Sequence, residues 1–240
     1  MGRLDAILSS TYFKHYARIN ECTDPTRLPS GCLANFRLMY GKLVGSLPEG
    51  SRVLDLGCGT GFLLRWLSSL ENVIPVGVDL SESQVDALKG YLPDAEVHCA
   101  DGLDYLRRNE ARFAGIFCTD VLEHLPSEDM CLEWIESARK SLICGGFFVC
   151  QVPNAANLTG FYSRCIDLTH QRAFTSSSLL QLLQASGLEG CFVMPMKYCD
   201  IKGRMRRRLE DLLHSAIYRI CSRKRDPVYS FNVIGVGFRR

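Results

Sequence analysis

The chain has 240 residues, of which 47% are hydrophobic and 22% are charged, which suits one large globular domain and excludes disorder and fibrous structure. Its formal net charge is +2, but the nine Lys and Arg between positions 202 and 225 outnumber two acids, so this segment carries +7 and the remainder about −5. No apolar run approaches the roughly 20 residues that a membrane-spanning helix needs.

The N-terminus lacks the sustained apolar segment of a signal peptide, which predicts a cytoplasmic protein. Twelve cysteines are present, without a CxxC pair or regular spacing, and several lie inside apolar runs. We therefore expect reduced thiols rather than disulfides or a structural zinc site.

In chain order, residues 1–48 look helical and irregular and are predicted to form an N-terminal helical cap at the carboxyl edge of a sheet. Residues 49–240 are predicted to form one domain in which apolar strands alternate with helical segments. The predicted strands are 52–57, 74–80, 95–101, 114–121, 146–153, 191–196 and 231–238. This alternation is typical of an α/β fold, with a mostly parallel sheet and helices on both faces.

A glycine cluster, Gly57, Gly59 and Gly61 in "VLDLGCGTGF", follows the first strand. A glycine-rich turn at this place lets a ligand approach the backbone closely. The G-x-G-x-x-G pattern of dinucleotide-binding folds would need a glycine at the position of Phe62, and a P-loop motif is absent, so both of these nucleotide sites are excluded.

With Asp55 ahead of the glycines, "VLDLGCGTGFL" resembles the first motif of class I S-adenosylmethionine (SAM)-dependent methyltransferases. The segments "VGVDLSESQVDAL", "CADGLDYL" and "FCTDVLEHLP" resemble the next three motifs of that family, in order. The resemblance implies a Rossmann-like, seven-stranded mixed sheet whose last strand is antiparallel. It also implies SAM as the cofactor and S-adenosylhomocysteine as the product.

In this family the cofactor lies across the carboxyl ends of the first strands. Asp79 is expected to take both ribose hydroxyls and Leu80 to pack on the adenine, although Asp79 and Ser81 are also rival caps of the next helix. Asp101 is expected to accept a hydrogen bond from the adenine amino group, to cap the following helix, or both. The predicted cofactor-binding residues are Asp55, Gly57, Gly59, Gly61, Phe62, Asp79, Leu80, Asp101, Gly102 and Asp120.

Methyl transfer to a hydroxyl needs an aligned nucleophile and a proton acceptor, and histidine suits the second task near neutral pH. His124 and His170 follow the fourth and fifth strands and are the predicted catalytic residues. The segment "DLTHQRAFT" around His170 resembles methyltransferases of polysaccharide, lipopolysaccharide and deoxysugar pathways, which implies a sugar or glycan hydroxyl as the acceptor. The predicted substrate-binding residues are Asn154, Tyr162, Asp167 and Arg172.

Two other functions stay open. One is a small-molecule methyltransferase that acts on a phenol, an amine or a carboxylate, and the other is a catalytically silent SAM-binding partner subunit. Asp120, Glu123 and His124 offer ligands for a divalent cation, as in some ubiquinone-pathway methyltransferases. However, "LEH" after the fourth strand is widespread among metal-free relatives, so no metal is predicted.

Residues 199–225 are predicted to form a helical insertion before the last strand, with one apolar face and one arginine-rich face. Three interpretations fit: a helix packed on the domain with its basic face in solvent, docking to an anionic membrane surface, or binding of a phosphate-bearing or nucleic-acid partner. Nucleic acid is the least favoured, because no aromatic residues are interleaved as a stacking platform. The oligomeric state is left open.

Overall fold

The structure is a computed structural model that describes residues 31–240, apart from the side chain of Phe161. Residues 1–30 of the cap predicted over residues 1–48 therefore lie outside the described residues. Within residues 31–240 no helix is long and apolar enough to cross a membrane, and every cysteine is a free thiol.

Seven strands and eight α-helices make up the described part of the chain. The strands are β1 (Ser51–Leu56), β2 (Val73–Asp79), β3 (Glu96–Cys99), β4 (Phe113–Thr119), β5 (Leu142–Pro153), β6 (Glu189–Pro195) and β7 (Asn232–Phe238). The helices are α1 (Cys32–Gly45), α2 (Phe62–Ser68), α3 (Glu82–Tyr91), α4 (Gly102–Arg107), α5 (Glu128–Ser141), α6 (Gly160–Ile166), α7 (Ser176–Ala185) and α8 (Ile201–Ile220). A 3₁₀ turn, Leu122–His124, follows β4.

The strands form one sheet in the order β3-β2-β1-β4-β5-β7-β6. The first five strands are parallel, and β7 runs antiparallel to both β5 and β6. In the centre, Leu54 of β1 lies level with Val76 of β2 and Ile116 of β4, and all three are fully buried. The predicted Rossmann-like mixed sheet with an antiparallel last strand is confirmed.

Helices cover both faces of the sheet because its central strands are apolar on both sides. On one face, α1 and α2 pack through Tyr40 and Trp66 against Phe117 of β4. On the other face, α4, α5 and α7 pack around Trp134 and Phe148. The part of the predicted N-terminal cap that the structure describes, α1, thus belongs to the first of these layers.

Local sequence signals fix some helix ends well and one strand end poorly. Thr175 caps α7 in a reciprocal capping box with Ser178, and Gly187, with φ of 77°, lies just beyond the helix end. By contrast, β5 begins at Leu142, whereas the apolar pattern predicted that this strand begins at position 146. A register shift between Phe113 and Gly115 accommodates the extra strand residues.

The strand order reverses between β1 and β4, and open α/β sheets bind ligands in the crevice at such a point, where the connections of two neighbouring strands diverge. The glycine turn after β1 lies on one side of the crevice and the 3₁₀ turn after β4 on the other. Between β4 and the 3₁₀ turn, Asp120 has φ of 55°, a left-handed backbone conformation that few non-glycine residues adopt. Such strained backbone is most often found at functional sites.

Candidate active site

The three glycines of the turn meet different surroundings. A Cβ on Gly57, whose φ is 80°, would lie 2.4 Å from Cγ2 of Val121, and one on Gly61 would lie 2.3 Å from Cδ2 of Leu88. Gly59, with φ of 48°, has nothing within 4 Å of that position among the described atoms. Gly57 and Gly61 therefore allow close packing within the protein, whereas Gly59 presents open backbone on which a ligand can lie.

Asp79 links the glycine turn to the start of α3. Its Oδ2 accepts a hydrogen bond from the Gly59 N–H at 2.8 Å, and its Oδ1 accepts one from the Ser81 N–H at 2.9 Å. Burial raises the pKa of the Asp79 carboxyl, against the opposing effect of these hydrogen bonds. Leu80, next in the chain, is 71% exposed, which leaves an apolar surface beside the turn. The ribose and adenine contacts stay predictions.

Asp101 and Gly102 have structural tasks that the structure shows directly. Asp101 caps α4, since its Oδ1 accepts a hydrogen bond from the Asp104 N–H at 3.0 Å. A Cβ on Gly102 would lie 2.6 Å from Cη2 of Trp134, so glycine is needed here to pack α4 against α5. Phe62 is the first residue of α2 and is half-buried. The adenine contact of Asp101 remains a prediction beside its capping role.

Asp55 lies beneath the glycine turn rather than on the open side of the crevice. The residue is 1% exposed, and its Oδ1 has no hydrogen-bond partner among the described residues. Burial, followed by the negative charge of Asp79, raises the pKa of the Asp55 carboxyl to about 7. Asp55, predicted to bind the cofactor, is therefore shielded from solvent in this structure.

Asp55→Asn is expected to flatten the pH dependence of stability. The folded-state pKa of about 7 exceeds the usual value of about 3.9. The stability that the protonated Asp55 carboxyl contributes to the folded state is therefore fully present below about pH 4 and is lost as the pH rises through about 7. In urea unfolding at about pH 8, the variant should be more stable than wild type by about 1–4 kcal/mol, with a smaller difference at about pH 5. The exposed Asp94→Asn is the control, and equal pH slopes for wild type and Asp55→Asn would contradict the expectation.

Glu123 is the buried acid of the 3₁₀ turn. It is 1% exposed, and both carboxylate oxygens lack a hydrogen-bond partner among the described residues. Burial, then the charge of Asp120, raises the pKa of Glu123 well above its usual value. Its backbone carbonyl accepts hydrogen bonds from the N–H groups of Gln171 at 2.7 Å and Arg172 at 3.0 Å. These bonds hold the segment that carries His170 against the 3₁₀ turn.

His124 and His170 come together as predicted residues of one site, with their ring centroids 4.7 Å apart. Nδ1 of His170 lies 2.8 Å from the carbonyl oxygen of Ser163. Because a carbonyl only accepts, Nδ1 must carry the proton, and the neutral ring then has its lone pair on Nε2. His170 is therefore oriented with a basic nitrogen directed away from α6, which suits a proton acceptor.

His124 is held by a chain of two hydrogen bonds. The hydroxyl of Thr169 donates to Oδ1 of Asp167 at 2.7 Å, and Nδ1 of His124 lies 2.8 Å from the Thr169 hydroxyl oxygen. Since the Thr169 proton is already used, Nδ1 of His124 is the donor. Burial, followed by the nearby His170, lowers the pKa of His124 to about 4, so its imidazole is neutral near pH 7 and a weak base.

Asp120 accepts hydrogen bonds from Nε2 of Gln151 at 3.1 Å and from Nδ2 of Asn232 at 3.3 Å. The residue is exposed on the crevice side, yet the protein that surrounds its carboxyl raises the pKa, against the effect of the Gln151 bond. Asp120 is thus an oriented carboxylate at the rim of the crevice. Its predicted cofactor contact stays a prediction.

Asn154 was predicted to contact the substrate, and the structure corrects this. The side chain is fully buried. Its Nδ2 donates to the carbonyl oxygens of Val228 at 2.8 Å and Ser230 at 3.1 Å, and its Oδ1 accepts from the Ala156 N–H at 2.9 Å. Asn154 therefore ties the end of β5 to the segment before β7, and its complete burial leaves no surface for a substrate to contact.

Arg172 and Asp167 are also engaged inside the protein rather than free for a substrate. The Arg172 guanidinium donates to the Glu128 carboxylate at 2.8 Å and to the carbonyl oxygens of Leu125 and Pro126. Asp167 is buried, and although burial opposes its ionisation, the hydrogen bonds from Thr169 outweigh this and lower its pKa. Of the predicted substrate residues, Tyr162 is the one left on the surface, at 64% exposure.

The sequence interpretation missed three contributors to this site. The Ser163 carbonyl that orients His170 is a backbone group, for which the side-chain pattern gives no signal. The link from Thr169 to His124 spans two loops that only the tertiary fold brings together. The burial of Glu123 followed from an apolar neighbourhood, Leu122 and Leu125, that was visible in "VLEHLP".

Glu123, His124 and His170 form the set of candidate metal ligands among the described residues, with ligand atoms within 4.8 Å of one another. The third candidate ligand is therefore His170, whereas the sequence had suggested Asp120. Two imidazoles and one carboxylate suit divalent transition metals. The unpartnered oxygens of Glu123 fit such an ion, whereas the raised pKa of Glu123 fits a neutral, metal-free carboxyl.

Curated relatives match between about a third and a half of this chain. The chain is 37% identical over 82 residues to a ubiquinone biosynthesis O-methyltransferase of Coxiella burnetii, which covers 32% of this chain and 34% of that protein. It is 27% identical over 117 residues to the O-methyltransferase cnsE of Penicillium expansum, which covers 46% of this chain and 42% of that protein. The first of these matches spans only about a third of the relative.

Solved structures match over far more of the chain. A SAM-dependent methyltransferase from Archaeoglobus fulgidus aligns with a TM-score of 0.66 at 18% identity, covering 86% of this chain and 94% of that one. Phosphoethanolamine N-methyltransferase 2 of Haemonchus contortus, in complex with SAM, aligns with a TM-score of 0.64 at 14% identity, covering 98% and 59%. The profile of the methyltransferase domain family matches residues 34–191. The chain therefore belongs to the methyltransferase domain family and has the class I fold of SAM-dependent methyltransferases.

Proposed function

We propose that this protein is a SAM-dependent O-methyltransferase whose acceptor is a hydroxyl of a small molecule, with a phenol as the preferred class. The observation that supports this proposal is the 2.8 Å contact between Nδ1 of His170 and the Ser163 carbonyl oxygen, which leaves the lone pair of the neutral ring on Nε2. The names of the curated relatives, which are O-methyltransferases, support the same class of reaction.

Each part of the crevice has a task in this proposal. SAM supplies an activated methyl carbon, with Gly59 offering backbone to its methionine part and Asp79 accepting from its ribose hydroxyls. With SAM and an acceptor bound, Nε2 of His170 would take the proton of the hydroxyl that receives the methyl group. His124, neutral near pH 7, lines the same space and is held in place by Thr169. S-adenosylhomocysteine is the product.

A phenol fits these groups better than the sugar hydroxyl that the sequence suggested. Polyhydroxylated acceptors need several polar side chains, but Asn154, Asp167 and Arg172 are engaged with other parts of the protein. The proton acceptor also matters, because a phenol has a pKa of about 10, whereas an aliphatic hydroxyl resembles water at about 15.7. An imidazole removes the first proton far more readily than the second.

Transfer of a labelled methyl group to a panel of acceptors tests this proposal. We expect turnover with phenols, and none above background with nucleotide sugars or lipid-linked sugars. Amines and carboxylates belong in the panel as the remaining small-molecule classes. Preferential methylation of a sugar would contradict the choice of acceptor, and SAM binding without turnover on any acceptor class would favour a silent partner subunit.

A further inference from the structure

Among the residues that the structure describes, the helix α8 directs its apolar side away from the rest of the protein. Its buried residues are Gly203 and His214. Its large apolar side chains are strongly exposed: Ile201 (66%), Met205 (65%), Leu209 (68%), Leu212 (69%), Leu213 (51%) and Ile220 (81%). We call these six residues the apolar stripe. This arrangement corrects the interpretation in which the insertion packs its apolar face on the domain.

Polar and aromatic contacts fix this orientation. Nε2 of His214 accepts a hydrogen bond from the Leu158 N–H at 2.8 Å, and the hydroxyl of Tyr218 donates to the Ala156 carbonyl at 3.2 Å. The rings of His214 and Tyr218 each lie 5.1 Å from the ring of Tyr229. Because this polar side of α8 packs against the rest of the protein, the apolar stripe cannot turn inward without breaking these contacts.

Basic side chains flank the apolar stripe on both sides. At about 100° per residue, Arg206 lies along one side of the stripe and Arg204 and Arg208 lie along the other, whereas Lys202 falls within the stripe. All four are exposed. Two arginines meet acids of the same helix: Arg206 lies 3.8 Å from Glu210, and Arg207, whose side chain is 12% exposed, pairs with Asp211 at 2.8 Å. The solvent side of α8 is therefore apolar along its middle and cationic along its edges.

A lipid surface complements both features at once. A helix with this pattern lies in the plane of a membrane, with its apolar side in the headgroup and acyl boundary and its basic side chains at anionic headgroups. A second copy of the same face would bring like charges together, and nucleic acid would leave the stripe in water. We propose that α8 docks the protein on an anionic lipid surface through the apolar stripe and its flanking basic residues.

Sedimentation of the full chain with vesicles tests the proposal. Wild type is expected to bind phosphatidylcholine vesicles that contain phosphatidylglycerol, and to bind pure phosphatidylcholine weakly. Two double variants should each lower the partition coefficient about tenfold or more. Arg204→Glu with Arg208→Glu removes two basic residues, each of which contributes roughly fivefold near the surface. Leu209→Glu with Leu212→Glu removes apolar side chains that would be buried in the lipid. The control, Lys89→Glu on the exposed side of α3, should bind as wild type does.

The outcomes separate the occupants of this surface. Wild type that binds neither kind of vesicle overturns the proposal. Unchanged binding of the leucine variant also overturns it, because charge alone would then hold the protein. A dimer in light scattering that dissociates in the leucine variant, without vesicle binding, assigns the stripe to a second copy. Thermal unfolding checks that the variants fold, and Leu209→Gln with Leu212→Gln is the milder replacement.

Discussion

His170→Ala is expected to reduce kcat about 10²- to 10⁴-fold, the usual contribution of a positioned general base. The ring is oriented by the Ser163 carbonyl and does not support the glycine turn, so the SAM dissociation constant should be unchanged. Turnover of a phenolic acceptor and calorimetric SAM binding, measured on the same preparation, check the two halves of this expectation.

His98→Ala is the matched control, because His98 is exposed at the end of the sheet on β3 and should be dispensable for turnover. Equal turnover of wild type and His170→Ala would remove His170 from the reaction. A chelator provides a second discrimination. If chelation abolishes wild-type activity and a divalent cation restores it, Glu123, His124 and His170 act as metal ligands instead of as a base and its neighbours.

Asp79→Ala is expected to weaken SAM binding about 10²- to 10⁴-fold. Hydrogen bonds to a charged group contribute about 1.5–3 kcal/mol each, and the proposed ribose contact has two of them. The variant also loses the bonds from the Gly59 and Ser81 N–H groups, so the ligand-free protein should be less stable by about 1–3 kcal/mol. Calorimetry with SAM and urea unfolding without it measure the two effects.

Two further variants test whether the loss of SAM affinity is due to the Asp79 carboxylate. Asp79→Asn keeps one acceptor oxygen and should retain part of the stability while binding SAM weakly. Glu82→Ala removes an exposed acid from the first turn of α3 and should bind SAM as wild type does. If Asp79→Ala shows near-normal affinity for SAM together with reduced stability, Asp79 only joins the turn to α3 and the ribose contact is wrong.

The elements of the fold could be predicted from the sequence because their signals are local. The central strands are apolar runs, and Thr175 and Gly187 mark the two ends of α7. The register shift that extends β5 back to Leu142 depends on pairing with β4, so the helical pattern of the preceding residues was misleading there. The place of the glycine turn was predictable, but the partners Val121 and Leu88, which lie far away in the chain, were not.

The candidate site was predictable in its histidines and much less so in its polar residues. Position after a strand end was enough to bring His124 and His170 together. It could not show whether Arg172 faces a substrate or the loop at Glu128, because the two differ only in tertiary contacts. Likewise, the amphipathic pattern of α8 predicted an apolar and a basic face but not which face packs on the protein. That orientation is fixed by the hydrogen bonds of His214 and Tyr218.

The order of the strands divides the proposed work between two stretches of chain. Gly59 and Asp79, proposed to hold SAM, lie at the ends of β1 and β2, whereas the two imidazoles and the groups that orient them follow β4 and β5. Exchange of the later loops would therefore redirect the methyl group to a new recipient while the earlier loops kept their hold on its donor. The same fold can in this way serve many classes of acceptor while the loops that bind SAM stay unchanged.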